Sequence, residues 1–170
     1  MPWWQRILLR IRALFTRAPK QLSMGEVSEL APDLQEALRE LGTEQGAAYD
    51  AAQRAVRDYC DLRDVLMGPG ASDDAGEDVT LLAEAEDVLR SMLLRAPQVR
   101  TLAVVATRRS GDAQGRAAAG EALLRLRDQG RALSQLTSAS LRWASSKSPA
   151  DLEAMRASAA SLPLAYKDRG

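Results

Sequence analysis

Histidine is absent from this chain of 170 residues, and cysteine occurs once, at Cys60. Without histidine, the chain has no zinc site built on imidazole, no histidine general acid or base, and none of the Glu-x-x-His di-iron sites of helical bundles. One cysteine cannot form a disulfide within the chain, which fits a reducing compartment. Metal and acid–base chemistry that needs histidine is therefore excluded.

Long hydrophobic runs are also missing. The longest stretches without a charge are ten residues, Ala132–Leu141 and Ala157–Tyr166, and both are too short and too polar to span a bilayer. No glycine-rich phosphate loop, nucleophile elbow or metal-ligand spacing occurs. The sequence therefore predicts no enzyme activity, no metal and no cofactor, in one domain large enough to bury a core.

The net charge is zero, but the charges are unevenly distributed along the chain. Residues 1–20 carry five basic and no acidic side chains, residues 21–80 carry fourteen acidic and four basic ones, and residues 81–170 carry fourteen basic and nine acidic ones. We expect the acidic and basic arms to pair within the molecule. This pairing disfavours a nucleic-acid partner, because a binding footprint would make the whole domain basic.

Alanine, leucine and arginine dominate the rest of the chain, which is a helical composition. From Asp33 to Met67 the apolar positions alternate steps of three and four, interrupted only by Gln45. This period is that of a coiled-coil-like contact. We predict one unbroken helix there, because the pattern stays in phase across Gly42 and Gly46.

Three further helices follow from the breaks in the pattern. One begins near Glu77 or Asp78 and either kinks or restarts at Pro97. The next runs from about Ala113 to Ser145, with small residues on its inner stripe that let a neighbouring backbone approach closely. The last begins at the Ser148 cap, ends near Ser161 before Pro163, and is followed by a frayed tail at 164–170.

The predicted fold is all-α. It is an elongated antiparallel bundle of three long helices with a short C-terminal helix, preceded by an amphipathic N-terminal helix. The predicted segments are the N-terminal helix at 1–20, the bundle at 21–163 and the tail at 164–170. Alanine-rich contacts bury little apolar area per residue. We therefore expect this chain to bind a second copy of itself or a helical protein partner.

The N-terminal twenty residues contain the candidate binding site. A helix from Trp3 to Arg17 places apolar side chains on one face and arginines beside it, a pattern typical of a helix in a membrane interface. Two alternatives remain: a helix that packs on the bundle or on a partner protein, and an organelle-targeting presequence. The candidate residues are Trp3, Trp4, Arg6, Ile7, Leu8, Arg10, Ile11, Arg12, Leu14, Phe15 and Arg17.

Other clusters have ordinary structural explanations. Asp50, Asp58, Asp61 and Asp64 alternate with arginines at i,i+4 spacing, which predicts ion pairs on a solvated helix face. The acids from Asp73 to Asp78 fail the calcium-loop pattern and are better explained as a helix start. Cys60 has no histidine to activate it and is predicted to be a small packed side chain.

A third cluster, Arg108, Arg109 and Arg116, flanks a chain break. These arginines could bind phosphate groups or meet the acidic arm.

Two functions fit these observations. The first is a non-enzymatic, peripheral membrane-associated scaffold in the cytoplasm, whose basic N-terminal helix binds an anionic membrane surface. The second is a soluble helical adaptor whose N-terminal helix docks into a partner protein. The presequence alternative would place the protein in the mitochondrion.

Overall fold

The computed structural model describes residues 32, 34, 35, 46–68, 75–109 and 111–167, without the side chains of 75–77 and 163–167. Four helices fill the last three of these segments: α1 at Ala47–Leu66, α2 at Ala75–Arg108, α3 at Ala113–Ser146 and α4 at Pro149–Lys167. The described residues contain no strand. The all-α prediction is confirmed.

Helix α3 is the central element, because it packs against α1, α2 and α4. Short connections make α2 antiparallel to α1 and to α3, and α4 antiparallel to α3. Helices α1 and α3 therefore run in parallel. The Thr137 hydroxyl of α3 donates to the Asp58 carbonyl of α1 at 2.9 Å, which fixes their register.

The core lies where these helices meet. It is built from the predicted stripes, including Leu62 and Leu66 of α1, Leu89 and Met92 of α2, and Leu133 of α3, all 1% exposed or less. Small residues bring α3 close to its neighbours, as the sequence predicts. A Cβ built on Gly130 would lie 3.9 Å from the Ala51 carbonyl oxygen and 3.2 Å from Met92 Cε.

The predicted first long helix does not run unbroken to Met67. Gly46 has a φ of 145° and stands outside α1, which begins at Ala47. A positive φ is strained for any residue with a Cβ and is open to glycine. The hydrophobic period stays in phase across this break, so the side-chain pattern could not reveal it. The part of that prediction before Gly46 lies outside the described residues, apart from positions 32, 34 and 35.

Neither of the two later prolines ends its helix; the sequence predicts a kink or a restart at Pro97 and a helix end before Pro163. Helix α2 continues through Pro97 without a restart, and α4 continues past Ser161 and Pro163 to Lys167. The prediction of a helix end before Pro163 is wrong. Proline removes one hydrogen bond and crowds the preceding turn, but tertiary packing overrides this local cost. Leu162, directly before Pro163, is fully buried and holds that turn in the core.

The predicted starts of α3 and α4 are confirmed by their caps. The Asp112 carboxylate accepts from the Gly115 amide at 2.8 Å. The Asp151 amide donates to the Ser148 hydroxyl at 3.2 Å, and that hydroxyl donates to the Asp151 carboxylate at 2.9 Å. Hydrogen bonds from Ser146 and Ser148 hold the pKa of Asp151 below its ordinary value. Each cap satisfies amides that a helix N-terminus leaves without partners.

Candidate functional site

The candidate binding site at the N-terminus lies outside the described residues. This holds for Trp3, Trp4, Arg6, Ile7, Leu8, Arg10, Ile11, Arg12, Leu14, Phe15 and Arg17. Their predicted helix stays a prediction. In the part of the chain that the structure describes, no helix is long and apolar enough to cross a membrane.

The described residues contain an uncovered end of the bundle. Because α1 and α3 are parallel with an offset of 79 positions, Ala47 lies level with about residue 126 of α3. Arg100 of α2 stacks over the Tyr49 ring of α1, with 5.4 Å from its guanidinium carbon to the ring centroid. The α2–α3 hairpin therefore extends beyond α1 by about 20 Å at 1.5 Å per residue. We call residues 101–125 the distal end.

Burial agrees with this register. The described residues 101–105, 107–109, 111–114 and 116–118 are all exposed, and Ala106 and Ala119 are buried where the two helices meet. The period of three and four in α2 places Ala103 on the same face as the buried residues, but Ala103 is exposed because α1 does not reach that level. The distal end is thus a two-helix hairpin with a thin apolar contact.

An aliphatic stripe runs along the outward face of α2 toward this end. It consists of Leu94, Leu102 and Val105, which are 69%, 45% and 46% exposed. At about 100° per residue, these side chains lie within about 80° of one another and opposite the buried stripe. We call them the α2 stripe. Leu102 and Val105 are neighbours on this face, and exposed Gln98 lies between Leu94 and Leu102.

Arginines flank the α2 stripe. Residues 88–111 contain five arginines and no acidic residue. On the helical wheel, Arg95 and Arg108 lie at the two edges of the stripe, and Arg109 directly follows the end of α2. This basic aliphatic face was missed by sequence reasoning, which followed only the buried period of this helix. The acid-free run from 88 to 111 is the signal that could have found it.

A groove opens beside the same end of the bundle. Its volume is about 470 Å³, and it lies between the start of α1 and the last turns of α2, with Leu123 of α3 on one side. Tyr49, Val99 and Val104 make much of the lining apolar, and Arg100 and Arg108 add positive charge. The groove and the α2 stripe give the distal end two apolar surfaces of basic character.

The aspartate cluster of α1 differs from its prediction at one residue. Asp50 and Asp64 are exposed, but Asp58 is largely buried. Burial, and next the nearby Asp61, raise the pKa of Asp58 to about 7, opposed by a hydrogen bond from Ser134 and by Arg54 and Arg57. The prediction of a solvated face is therefore wrong at Asp58, because the approach of α3 could not be read from spacing within one helix.

The predicted ion pair from Asp50 to Arg54 also takes another form. The Arg54 Nε donates to the main-chain oxygen of Asp50 at 3.2 Å. Further along α1, the Arg63 guanidinium pairs with the Asp64 carboxylate at 3.6 Å. These exposed contacts stabilise the helix only slightly.

Tyr59 links α1 to α2 through a polar contact at the edge of the core. Its hydroxyl donates to the Glu86 carboxylate at 3.1 Å, and Arg90 pairs with the same carboxylate. Burial and Glu86 raise the pKa of Tyr59 to about 12. The next residue, Cys60, is buried, which confirms the prediction of a packed thiol.

The structure describes only some of the other residues that the sequence singles out. Asp73 and Asp74 lie outside the described residues, and Arg108, Arg109 and Arg116 are exposed on either side of the turn between α2 and α3. Within the described ranges, no group of histidine, cysteine, aspartate or glutamate residues could hold a metal ion.

Comparison of the chain with known protein families, curated proteins and solved structures finds no match.

Proposed function

We propose that this protein is a non-enzymatic, peripheral membrane-associated helical scaffold. Its N-terminal basic amphipathic segment and its α2 stripe would both bind an anionic membrane surface. The observation that carries the proposal is the α2 stripe: three aligned, exposed aliphatic residues in a 24-residue stretch that has five arginines and no acid.

Charge selects lipid as the occupant of this surface. An anionic bilayer offers negative headgroups beside an apolar layer, which complements aliphatic side chains flanked by guanidinium groups. Three arginines near such a surface contribute about 3 kcal/mol, at about 1 kcal/mol each. Burying the exposed half of three aliphatic side chains adds about 3 kcal/mol, and the sum of about 6 kcal/mol corresponds to a Kd of tens of micromolar.

That affinity is weak for one surface alone. A second contact from the N-terminal segment, tied to the same chain, would raise the overall binding through its effective concentration. The two surfaces together therefore support reversible association with a membrane, and the remaining helices would supply the scaffold.

Vesicle sedimentation tests the proposal. The full chain is mixed with vesicles of phosphatidylcholine, alone or with phosphatidylglycerol, at low and high salt. We expect binding to the anionic vesicles at low salt, and loss of binding as salt screens the arginines. The variant Leu94→Gln/Leu102→Gln/Val105→Gln should bind about a hundredfold more weakly, since it removes the aliphatic contribution of about 3 kcal/mol.

The matched control is Met67→Gln/Val79→Gln. These residues are 61% and 55% exposed, but they lie at the opposite end of the bundle. The control should bind as the parent does. Equal binding by the parent, the α2 stripe variant and the control would show that the α2 stripe does not contact the membrane. A full chain that stays in the supernatant with anionic vesicles would overturn the membrane function and leave the soluble adaptor in its place.

A further inference from the structure

A basic cleft lies between α1 and α3, on helices other than the one that carries the α2 stripe. Its volume is about 480 Å³, which is within the range of small-molecule sites. Each helix lines it with four residues spaced i, i+3, i+4 and i+7, from Ala51 to Asp58 on α1 and from Arg127 to Ser134 on α3. Because these helices are parallel, the two lining faces run side by side.

Three arginines line the cleft, Arg54 from α1 and Arg127 and Arg131 from α3. Arg131 pairs with Asp128 at 3.2 Å, but both side chains are exposed, so the pair is weak and its guanidinium can be recruited by a ligand. Arg54 uses its Nε on a main-chain oxygen, which leaves its terminal nitrogens to other acceptors. The cleft thus brings guanidinium groups from two helices around one space.

Small residues form the inner wall of this space. Ala51, Ala55 and Gly130 line it, and the close approach of Gly130 to the Ala51 carbonyl keeps the helices together there. Larger side chains at these positions would fill the cleft. The planar guanidinium of arginine can bind two phosphate oxygens at once, and the small walls leave room for such a group.

Asp58 and Ser134 occupy one end of the cleft and hydrogen-bond to each other. A charged carboxylate would repel an anion, whereas a protonated one can donate a hydrogen bond to it. Arg54, Arg57 and Asp61 of its own helix and Ser134 of α3 act on Asp58. Arg127 and Arg131 of α3 also line the cleft, and on the α2 side Glu86 accepts from Tyr59 instead. Burial, and next Asp61, raise the pKa of Asp58 to about 7, so a substantial fraction of this carboxyl is neutral at neutral pH.

We propose that the cleft between α1 and α3 binds the phosphate group of a phosphorylated small molecule or lipid headgroup, held by Arg54, Arg127 and Arg131. This site does not depend on the proposed membrane surface, because it shares no residue with the α2 stripe. Its occupancy would link α1 to α3 and so stabilise the folded bundle.

Calorimetric titration of the full chain with inorganic phosphate and with glycerol phosphate tests the site. We expect binding that weakens at least tenfold in Arg127→Gln/Arg131→Gln. The matched control Arg125→Gln removes an arginine of the same helix that pairs with Glu121 and does not line the cleft, and it should bind as the parent does. A parent that binds neither probe, or a control that loses as much binding as the cleft variant, would overturn the proposal.

Asp58 gives a second test, because it should make anion binding depend on pH in a way that a general charge effect would not. Sulfate is the probe here, because its charge stays constant through neutrality. The parent should bind sulfate several-fold more tightly at about pH 6 than at about pH 8, since the pKa of Asp58 is about 7. Asp58→Asn should bind with little dependence on pH. Equal pH dependence in the two proteins would contradict the role of Asp58 and the site with it.

Vesicles separate the two sources of phosphate. If the ligand is a lipid, vesicles with phosphatidic acid should bind more parent protein than vesicles with phosphatidylglycerol, and Arg127→Gln/Arg131→Gln should abolish the difference. If the soluble phosphates bind and this difference is absent, the ligand is a soluble phosphorylated molecule. The α2 stripe variant should bind phosphate with the same affinity as the parent. The phosphate measurement can therefore be interpreted even if the proposed membrane function fails.

Discussion

At the scale of single residues, burial changes what the polar groups of this protein can do. Asp58 and Tyr59 are neighbours in sequence, but they face different partners: Asp58 meets Ser134 of α3, and Tyr59 meets Glu86 of α2. Both have a raised pKa because burial disfavours their charged forms. In both cases, a second helix decides the chemistry of an α1 residue.

Stability should depend on pH through Asp58. Its pKa is about 7 in the folded state against 3.8 in the unfolded chain, so the folded state binds the proton more tightly. The stabilisation this proton gives is complete below the unfolded value and is lost as pH rises through about 7. We expect Asp58→Asn to raise the free energy of unfolding at about pH 8 by on the order of 2 kcal/mol, with little effect near pH 4.

Urea denaturation at the two pH values measures this effect. Asp64→Asn, at an exposed position of the same helix, is the control and should show no gain at the higher pH. A gain of the same size in both variants would show that total charge, and not the buried position of Asp58, is responsible.

At the scale of helices, backbone geometry decides where the elements begin and end. Gly46 shows this at the start of α1, where a φ of 145° separates it from the helix. Glycine has a different role at Gly120, inside α3, where a Cβ would meet nothing within 4 Å. The same residue type is required by its conformation at one position and is merely tolerated at the other.

These two glycines give opposite predictions. Gly46→Ala should destabilise the protein by about 1–3 kcal/mol, because alanine is strained at this φ. Gly120→Ala should stabilise it by about 0.5–1 kcal/mol, because alanine has the higher helix propensity and an open position. Thermal unfolding of the two variants checks the signs. A destabilised Gly120→Ala, or an unchanged Gly46→Ala, would contradict this account of the helix ends.

At the scale of the whole molecule, the bundle has two unequal ends. Away from the distal end, α3 is covered by α1, α2 and α4. The distal end is the α2–α3 hairpin, and most of its described residues are exposed. Fewer buried contacts give a lower free energy of local opening. The α2 stripe, which is proposed to bind the membrane, lies toward this less stable end.

Hydrogen exchange should therefore follow a gradient along α3. Amides in the part after Ala113, near the turn, should exchange faster than amides around Leu133 and Leu136, which are fully buried. Mass spectrometry of the full chain, without lipid, measures this directly. Equal protection along α3 would contradict the two-helix description of the distal end.

Much of the buried pattern could be predicted from the sequence, because a period of three and four places residues on one helix face whatever that face contacts. The period places Ala52, Leu89 and Leu133 on the inner faces of their helices, and all three are buried in the core. The Ser148 cap was equally predictable, since it depends on a local hydrogen bond.

Only the tertiary structure determined the continuation through Pro97 and Pro163 and the two basic surfaces, the α2 stripe and the cleft between α1 and α3. Each depends on energies between helices: packing that outweighs a local preference, or an offset between parallel helices that covers one end and exposes the other. The cleft between α1 and α3 shows this most directly. Arg54 and Arg127 are 73 positions apart in the sequence, and only the register set by Thr137 and Asp58 brings them to one space.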